Sequence, residues 1–360
     1  MKVALCTEIL YPLYGVEKRV YEMAVRLPKY GWDVEVITSS STKHFPNLNI
    51  VQVSNPTIIN PPKRNYTNVI KFLANSYREV RKKKYDIIDA NGHLALLGCN
   101  FGKKKRPFIG TIHDLYGNEW GQMYNGKGAM LGKIMENIFV NFNYTRLITI
   151  NNTLKHRLEK RKKRGVDMIP SGIDTKEIDK IKSGKKENTI LYVGRLVGQK
   201  NVESLIRAFA NSNGKDRGYK LKIVGEGSEK NNLEKLSKEL KAKVEFTGRI
   251  ENYDNVIREM KKASFLVLSS RRENFGIVPL ESMYCRTPVI STDTEGPKDY
   301  IDGENGFIVK NEEMITNKIN ELCDDKSKII RMSALAREKA KKYDWDLIVK
   351  KISNVYEDVL

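Results

Sequence analysis

The sequence predicts an α/β protein with two doubly wound parallel-sheet domains that face each other across a cleft. Short apolar runs alternate with helix-period patterns along the chain, an order that produces parallel sheets covered on both faces. The alternation restarts near Thr189 after a break in the pattern. A length of 360 residues also suits two domains, each large enough to bury its own core.

The first half of the chain contains repeated strand–helix units. A helix from about Glu17 carries apolar side chains at helical spacing, and Gly31 ends it. The predicted strands are residues 3–6, 34–37, 87–88, 108–112 and 148–150. We therefore assign residues 1–168 to an N-terminal Rossmann-like domain.

The second half repeats the pattern, and we assign residues 169–343 to a C-terminal Rossmann-like domain. Its predicted strands are residues 190–193, 220–224, 244–246, 265–268 and 289–291. Asn201 is placed to cap the helix after the first of these strands. The last helix, residues 344–360, carries Trp345 and Ile348 on an apolar face. We expect that face to pack back on the N-terminal domain.

Residues 128–146 contain apolar side chains that form one wide stripe if the segment is helical. They are Met130, Leu131, Ile134, Met135, Ile138, Phe139 and Phe142. Such a stripe usually faces the core, and we favour that interpretation. The alternative is a surface that touches lipid or an acceptor chain.

Residues 265–306 join an apolar strand to a helix through a polar loop. The loop holds Glu273 and Gly276, and Pro279 suits a first helical turn because it has no N–H to leave unsatisfied. We expect Glu281 in that first turn. Free backbone N–H groups and the helix dipole make such a loop a site for phosphate oxygens. Each carboxylate can accept hydrogen bonds from neighbouring sugar hydroxyls.

A second loop, after the strand that ends near Val193, carries Arg195 and Lys200. Two cations there can neutralise a diphosphate as a bond to it breaks. The chain has no GxGxxG fingerprint and no GxxxxGK[ST] loop, and no D-x-D pair occurs where a metal would bridge a diphosphate. We therefore expect cationic side chains and a helix N-terminus to hold the diphosphate without a metal. Both loops follow the carboxyl ends of strands, where open parallel sheets bind ligands.

The net charge of +20 leaves three explanations open. The basic residues can form a lysine-rich surface, attract an anionic membrane face or bind nucleic acid. Nucleic acid is the least favoured, because the chain shows no helix-turn-helix, zinc-finger or RNA-binding aromatic signature. Basic clusters at residues 81–84 and 103–106 directly precede predicted strands, so part of the charge marks surface turns, and a third cluster lies at residues 155–164.

The cysteines and the apolar runs indicate the compartment. Cys6, Cys99, Cys285 and Cys323 are far apart and lack metal-ligand spacing, which predicts buried free thiols in a reducing compartment. The start of the chain fits a first strand better than a signal peptide, and no apolar run is long enough to cross a bilayer. We expect a cytoplasmic protein, and a peripheral position on the inner face of the cell membrane stays open.

Nine short motifs give the chain, over nearly its whole length, a resemblance to family-four retaining glycosyltransferases of the GT-B type. The motifs are residues 14–19 (YGVEKR), 86–90 (DIIDA), 111–114 (TIHD), 169–174 (IPSGID), 192–196 (YVGRL) with Lys200, 223–227 (IVGEG), 246–248 (FTG), 273–281 (ENFGIVPLE) and 302–306 (DGENG). The resemblance implies a GT-B fold, with the acceptor on the N-terminal side and a nucleotide sugar on the C-terminal side.

The resemblance also implies roles for single residues. Arg195 and Lys200 would hold the donor diphosphate. Glu273 would bind donor-sugar hydroxyls, and Glu281 would bind the ribose. The further implied contacts are Gly15 at the phosphates, His113 beside the reacting carbon, Asn274, Phe275, Gly276 and Ile277 near the sugar and diphosphate, and Gly248, Arg249 and Ile250 around the base.

The expected reaction moves a hexose from a UDP- or GDP-sugar to an acceptor hydroxyl with retained configuration, and needs no cofactor. The departing diphosphate would take the acceptor's proton. The expected acceptor is a glycan or a lipid-linked glycan at the membrane face. Two alternatives are a sugar-nucleotide epimerase of the same architecture and a non-enzymatic nucleic-acid-binding protein. The order of the nine motifs favours the transferase.

Overall fold

The computed structural model describes residues 1–10, 15–41, 45–60, 63–123, 126–162 and 165–360. The chain divides into two compact units. Unit 1 consists of Met1–Ser171 and Trp345–Leu360, and unit 2 is Gly172–Asp344. Three residues used in the sequence predictions lie outside the described ranges, namely Tyr14 of the first motif and Lys163 and Arg164 of the third basic cluster.

Unit 1 is built on a seven-stranded sheet in which every pair of neighbouring strands is parallel. Its strands are β1 (Lys2–Thr7), β2 (Asp33–Thr38), β3 (Asn49–Gln52), β4 (Ile87–Asn91), β5 (Phe108–Ile112), β6 (Arg146–Thr149) and β7 (Asp167–Met168). Their order across the sheet is β7-β6-β5-β4-β1-β2-β3. The direction of winding therefore reverses between β1 and β4, where such sheets bind ligands.

Helices cover both faces of this sheet. The helices in the N-terminal segment of unit 1 are α1 (Gly15–Arg26), α2 (Tyr66–Lys82), α3 (His93–Asn100), α4 (Trp120–Met123), α5 (Lys127–Val140) and α6 (Asn152–Lys162). Alternate residues of β1 point to opposite faces. Ala4 and Cys6 join a core with α2, α3, α5 and α6, whereas Val3 and Leu5 join a core with α1.

Unit 2 contains a six-stranded sheet, again parallel throughout. Its strands are β8 (Thr189–Val193), β9 (Lys220–Val224), β10 (Val244–Gly248), β11 (Phe265–Leu268), β12 (Val289–Thr292) and β13 (Gly306–Val309). Their order is β10-β9-β8-β11-β12-β13, so the winding reverses between β8 and β11. The fold class predicted from the alternating pattern, α/β with two doubly wound sheets, is confirmed.

One helix of unit 2 precedes its first strand, and the others lie between strands or after the last one. They are α7 (Thr175–Lys180), α8 (Val202–Ala210), α9 (Lys230–Glu239), α10 (Tyr253–Lys262), α11 (Ile277–Tyr284), α12 (Glu312–Asp324) and α13 (Lys326–Lys341). Asn201 precedes α8, but it has a left-handed backbone and its side chain caps no N–H. The predicted capping bond is therefore wrong, because the side-chain amide of Asn201 donates to Ser204 Oγ instead.

The chain ends in α14 (Trp345–Glu357), which belongs to unit 1. Trp345, Ile348 and Ile352 are fully buried in the same core as α1. Trp32 of unit 1 donates from Nε1 to Ser353 Oγ at 2.8 Å. The last helix thus completes one face of the first sheet.

The outward side of α5 differs from the prediction. Met130, Leu131, Ile134 and Ile138 are exposed, so the expectation that they face the core is wrong. Phe139 alone of the predicted stripe is fully buried. The inward side is taken by a buried carboxylate, that of Glu136, and the four apolar residues lie on the opposite side of the helix.

All four cysteines are buried and free, as the sequence predicted. Among the residues that the structure describes, no helix has both the length and the apolar character to span a membrane.

Candidate active site

The winding reversal of unit 2 brings two predicted site residues into direct contact. The loop after β8 carries Lys200, and the loop after β11 carries Glu273. Lys200 Nζ lies 2.5 Å from Glu273 Oε2, and the two side chains are 16% and 18% exposed. Backbone contacts fix the pair, since Ser269 Oγ donates to Lys200 O and Arg271 N donates to Gln199 O.

Arg195 lies at the start of the same β8 loop and is exposed. Its carbonyl oxygen accepts a hydrogen bond from the buried Tyr192 Oη at 3.0 Å. The loop packs so closely on the turn after β9 that a Cβ at Gly225 would lie 1.9 Å from Gly194 O. These glycines let two backbones meet where a side chain would separate them.

The loop from Glu273 into α11 is held by a buried tyrosine. Tyr300 Oη lies 2.9 Å from Phe275 O and 2.8 Å from Gly276 O. Gly276 has φ +79°, and a Cβ there would come within 2.7 Å of Tyr300 Oη. Gly296 approaches Phe275 even more closely, because a Cβ at Gly296 would lie 2.3 Å from Phe275 Cα. The loop geometry therefore depends on glycine at both positions.

Helix α11 begins with Ile277, so its first backbone N–H groups follow Gly276 directly. Pro279 lies in the first turn as predicted, but Glu281 falls in the second turn and not the first. Because the helix starts two residues before Pro279, Glu281 lies one turn further along the helix than predicted. Its side chain is buried, and Glu281 Oε1 accepts a hydrogen bond from Tyr253 Oη at 2.8 Å.

Tyr253 links this carboxylate to the loop after β10. Gly248 ends β10 with φ +71°, and its carbonyl oxygen accepts from Gly225 N at 2.9 Å. Ile250 is half-buried, whereas Arg249 is exposed and pairs with Glu251 at 3.1 Å. Asn274, near Glu273, accepts a hydrogen bond from Arg272 Nε at 3.2 Å.

Three tyrosines at this site were missed by the sequence prediction. Tyr192, Tyr253 and Tyr300 each orient a loop or a carboxylate that the prediction had named. Burial raises the pKa of Tyr253, and the neighbouring Glu281 carboxylate raises it further. The tyrosines therefore act as neutral donors. Tyr253 and Tyr300 contact residues 28 and 24 positions away, so no local sequence signal could have identified them. Tyr192 contacts Arg195 within the motif 192–196, but the motif does not show that contact.

His113 lies in unit 1, directly after β5, and is buried. Burial lowers the pKa of His113 to about 3, and the nearby Arg19 charge contributes. His113 Nε2 is 3.3 Å from Asn91 Oδ1. Asn91 Nδ2 donates to Asp89 Oδ1 at 2.9 Å, so Asn91 presents its oxygen to His113. His113 is therefore a neutral imidazole that carries its proton on Nε2.

Asp89 ends this chain of hydrogen bonds inside the sheet. Its Oδ2 accepts from Tyr356 Oη of α14 at 2.6 Å. Burial raises the pKa of Asp89 to about 6, although Tyr356, Arg19 and Asn91 counter the shift. Arg19 is also buried, and its Nη1 donates to Ile169 O and Pro170 O. This network ties the last helix to the imidazole after β5.

A second histidine, His93, was not predicted. It begins α3, and its Nε2 lies 2.8 Å from Asp114 Oδ1. Although burial favours the neutral form, the Asp114 carboxylate outweighs it and raises the pKa of His93. Burial also opposes ionisation of Asp114, but His93 and Tyr116 lower the pKa of Asp114 to about 2. His93 and Asp114 form an ion pair beside His113. The sequence did not predict this pair, because the two residues are far apart along the chain.

Gly15 is the first residue of α1 and is exposed. A Cβ at Gly15 would meet no atom of the described residues within 4 Å. Its neighbour Val16 lies close to Gly92, the residue after β4. A Cβ placed on Gly92 would be 3.9 Å from Val16 Cγ1. Gly15 thus lies at the winding reversal of unit 1. Gly15 and His113 belong to unit 1, and the other predicted site residues belong to unit 2.

Unit 2 also has a cavity of about 290 Å³ beside α8 and α9. Gly198, Asn201 and Arg271 line it, together with acidic residues of the two helices. Its lining contains none of the predicted donor-site residues. Within the described ranges, no group of three or more His, Cys, Asp or Glu residues lies close enough to hold a metal ion.

Solved structures of low sequence identity share the fold. Sucrose-phosphate synthase from Thermosynechococcus elongatus has a TM-score of 0.81 at 21% identity, covering 99% of this chain and 98% of that one. HepE from Anabaena, solved with UDP and glucose, has a TM-score of 0.78 at 18% identity, covering 99% and 100%. The fold is that of the GT-B glycosyltransferases.

Family models then identify the chain. The model of glycosyl transferases group 1 matches residues 174–355, and that of glycosyltransferase family 4 matches residues 14–177. The chain belongs to the glycosyltransferase family that these two models describe, as the nine motifs suggested.

Some relatives, including the following two, match over nearly their whole length. An uncharacterized glycosyltransferase of Methanocaldococcus jannaschii is 29% identical, covering 100% of this chain and 99% of the relative. The alpha-monoglucosyldiacylglycerol synthase of Acholeplasma laidlawii is 23% identical, covering 100% and 98%.

Proposed function

We propose that the protein transfers a hexose from a UDP- or GDP-sugar to an acceptor hydroxyl, with retention of the anomeric configuration and without a metal ion. The contact between Lys200 and Glu273 at the winding reversal of unit 2 carries this proposal. It places a cation and a carboxylate side by side where doubly wound sheets bind nucleotides. HepE, which shares the fold, was solved with UDP and glucose.

In this proposal the diphosphate is held by groups on the loop after β8 and at the start of α11. Lys200 and the exposed Arg195 provide the positive charge, and the N–H groups of Gly276 and Ile277 lie at the start of α11. A helix N-terminus stabilises phosphate charge through its free N–H groups and dipole. Arg195 can reach a ligand at little cost, because its side chain is already exposed.

The sugar and the nucleoside are assigned to the two carboxylates. Glu273 accepts hydrogen bonds from donor-sugar hydroxyls when the diphosphate draws Lys200 away from it. Glu281, held by Tyr253, accepts from the ribose hydroxyls. The base lies against Gly248, Arg249 and Ile250, which lie at and after the end of β10, before Tyr253, the first residue of α10.

The chemical step breaks the bond between the anomeric carbon and the diphosphate oxygen. The acceptor oxygen forms its new bond on the same face, and its proton passes to the departing diphosphate. The transition state resembles an oxocarbenium ion. Lys200, Arg195 and the α11 terminus stabilise the charge that develops on the diphosphate, the interaction that gains most as the bond breaks.

His113 is assigned to the sugar side of the reaction. Because it is neutral and its Nε2 proton is directed at Asn91, Nδ1 is the ring atom that can accept a hydrogen bond from a sugar hydroxyl. A neutral ring leaves the proton transfer to the diphosphate. We assign no general-base role to His113.

The proposed acceptor is a glycan or a lipid-linked glycan, and the proposed location is the inner face of the cell membrane. The name of the Acholeplasma laidlawii relative, a monoglucosyldiacylglycerol synthase, supports a lipid acceptor. The basic composition of unit 1 supports an anionic surface as a partner.

Thermal unfolding in the presence of UDP- and GDP-hexoses tests donor binding, because a ligand that binds only the native state raises the melting temperature. We expect one nucleotide sugar to raise it and the matching nucleoside diphosphate to do so less. The product of transfer to a simple acceptor should show retained anomeric configuration by proton NMR. Inverted product would refute the proposed mechanism, and epimerised donor without an acceptor would indicate an epimerase.

A further inference from the structure

Helix α5 presents an apolar face to solvent. Met130, Leu131, Ile134 and Ile138 are 65%, 56%, 44% and 44% exposed. At 100° per residue they lie within an arc of about 100° on one side of the helix. The other side is packed, with Phe139 and three neighbours buried. This is therefore an ordered helix with large apolar side chains in water, a feature that marks interaction surfaces.

The apolar face continues past the end of α5. Phe142 lies one turn beyond Ile138, and its ring meets that of Phe101 edge-on at 5.7 Å between centroids. Phe101, in the turn after α3, is 65% exposed. We call Met130, Leu131, Ile134, Ile138 and Phe101 together the α5 face.

Lysines surround the α5 face. Lys127 lies at the N-terminal end of the same arc, and Lys104 and Lys105 follow Phe101 at the other end; all three are exposed. The one carboxylate on α5, that of Glu136, is buried and points inward. The α5 face thus combines apolar side chains with a cationic border and no carboxylate from its own helix.

The charge of unit 1 strengthens this pattern. Unit 1 holds 30 Lys and Arg residues against 16 Asp and Glu, a net +14 of the total +20; unit 2 holds 34 against 28, a net +6. A second copy of the chain would bring the same positive charge to the face and be repelled. An anionic phospholipid surface accepts both parts of the pattern, because apolar side chains enter the acyl boundary while lysines meet the phosphates.

The inward side of α5 is bonded to the predicted acceptor side of unit 1. Glu136 Oε2 accepts from Tyr116 N at 2.8 Å, Gly117 N at 3.0 Å and Trp120 Nε1 at 3.1 Å. Tyr116 in turn donates to Asp114, next to His113. The loop after β5 therefore lies about one helix diameter, roughly 10 Å, from the α5 face.

We propose that the α5 face docks unit 1 on an anionic phospholipid bilayer, so that a lipid-borne acceptor reaches the loop after β5. The docking stands on the exposed face and its charges alone. The delivery of an acceptor also rests on the function proposed above.

Vesicle flotation of the full chain tests the docking. The vesicles are phosphatidylcholine alone or phosphatidylcholine mixed with phosphatidylglycerol. We expect binding to the mixed vesicles that weakens in high salt, because exposed charges are screened. Ile134→Ser with Ile138→Ser should weaken binding about 10-fold through loss of buried apolar area. Lys104→Glu with Lys127→Glu should weaken it at least about 10-fold through reversed charge.

Matched controls lie in unit 2. Ile330→Ser with Leu335→Ser removes two exposed apolar side chains of α13, and Lys235→Glu with Lys326→Glu makes the same change in net charge. Both controls should bind vesicles like the wild type. All variants should keep the wild-type melting temperature, since the replaced side chains are exposed.

Two results would overturn the proposal. One is absence of binding to the mixed vesicles, or equal binding by the α5 variants and the wild type. The other is a concentration-dependent dimer in light scattering that the α5 substitutions abolish, which would make the face a contact between copies. Neither of these two results depends on the sugar donor. The rise in melting temperature that a nucleotide sugar causes, measured on the same variants, therefore tests the proposed function separately.

Discussion

The side chains of Lys200 and Glu273 hold each other in position through their ion pair. Their ion pair is largely shielded from water, and each side chain would otherwise need another partner. In the proposed function, a diphosphate that competes for Lys200 would release the carboxylate for sugar hydroxyls. The proposal thereby links binding of the two halves of a nucleotide sugar through one contact.

Replacement of Lys200 by Ala should lower turnover at least about 100-fold, because the proposed function makes Lys200 a cation that stabilises the leaving diphosphate. Glu273→Gln should have a similar effect through loss of the charge that binds the sugar. Lys341→Ala is the matched control, since Lys341 forms an ion pair with Glu338 at 2.6 Å in the same unit, on α13. Turnover is measured as nucleoside diphosphate release with acceptor present. Near-normal turnover in either site variant would remove that residue from the mechanism.

His113 should stay neutral and protonated on Nε2 between about pH 5 and 8, since its pKa is about 3 in the folded protein. Nitrogen-15 NMR of the imidazole rings reports the tautomer, and His113→Gln identifies the signal. Asn91→Leu should remove the preference for Nε2. A signal from His113 that titrates near pH 6.5 would contradict the assigned environment.

The same shift predicts a stability effect with a definite sign. The pKa of His113 is lower in the folded chain than its ordinary value of 6.5, so its contribution to stability is full above pH 6.5 and is lost as pH falls toward 3. Between pH 7 and about 4.5 the wild type should lose about 2 kcal/mol more than His113→Gln. Urea denaturation at both pH values measures the difference, and parallel losses would argue against a buried neutral ring.

Residues that could be predicted are those marked by local pattern. Lys200, Glu273 and Gly276 follow apolar strands within recognisable motifs, so their loops could be placed from the sequence. Tyr253 and His93 could not, because each acts on a carboxylate about twenty or more residues away, Glu281 and Asp114 respectively. Such pairs are made by the fold and leave no spacing to detect.

Among the structural elements, the loops around α11 depend most on glycine. Gly276 has a left-handed backbone, and Gly296 touches the chain at Phe275. The α11 start, where the proposal places the diphosphate, is therefore set by two positions that admit no side chain.

Gly296→Ala should destabilise the protein by more than about 2 kcal/mol, because its Cβ would overlap the Phe275 backbone. Gly198→Ala is the control, since a Cβ there meets nothing within 4 Å and its φ is not left-handed. It should change stability by less than about 0.5 kcal/mol. Urea denaturation compares the two. Equal stabilities would mean that the loop moves away from Gly296 at little cost.

Tyr253→Phe should weaken nucleotide-sugar binding about 10-fold, because Glu281 loses the hydroxyl that orients it. Turnover at saturating donor should change little, since the ribose lies away from the breaking bond. Steady-state kinetics separates the two parameters. A large fall in kcat with unchanged KM would place Glu281 in the chemistry and not in ribose binding.

Element positions were predicted more closely than element faces. The strand over residues 265–268 follows from its apolar run and its flanking serines. The orientation of α5 did not follow, because the pattern shows a stripe but not the polar contact, that of Glu136, which decides the inward side. Glu281 was misplaced by one turn for a related reason, since Pro279 permits a helix start at several positions.

The whole molecule consists of one continuous and one discontinuous unit. Unit 2 is a single segment, whereas unit 1 needs residues from both ends of the chain. Trp345 is fully buried, and its indole N–H has no hydrogen-bond partner among the described residues, so it contributes through apolar packing. Tyr356, on the same helix, bonds to Asp89 in the sheet.

Trp345→Ala should destabilise the protein by about 3–5 kcal/mol, the usual cost of removing a buried aromatic side chain. Leu347→Ala is the matched control on the same helix, because Leu347 is half-exposed and should cost less than about 1 kcal/mol. Denaturation curves followed by circular dichroism give both values. Similar losses in the two variants would mean that α14 packs only loosely on unit 1.

The discontinuity of unit 1 has a consequence for biosynthesis. As the polypeptide leaves the ribosome, residues 172–344 emerge as a complete segment while the earlier sheet still lacks its closing helix. The second lobe to be translated is therefore the first able to finish folding, against the usual N-terminal-first order. Until α14 has left the ribosome, one apolar side of the nascent N-terminal sheet remains open to chaperones.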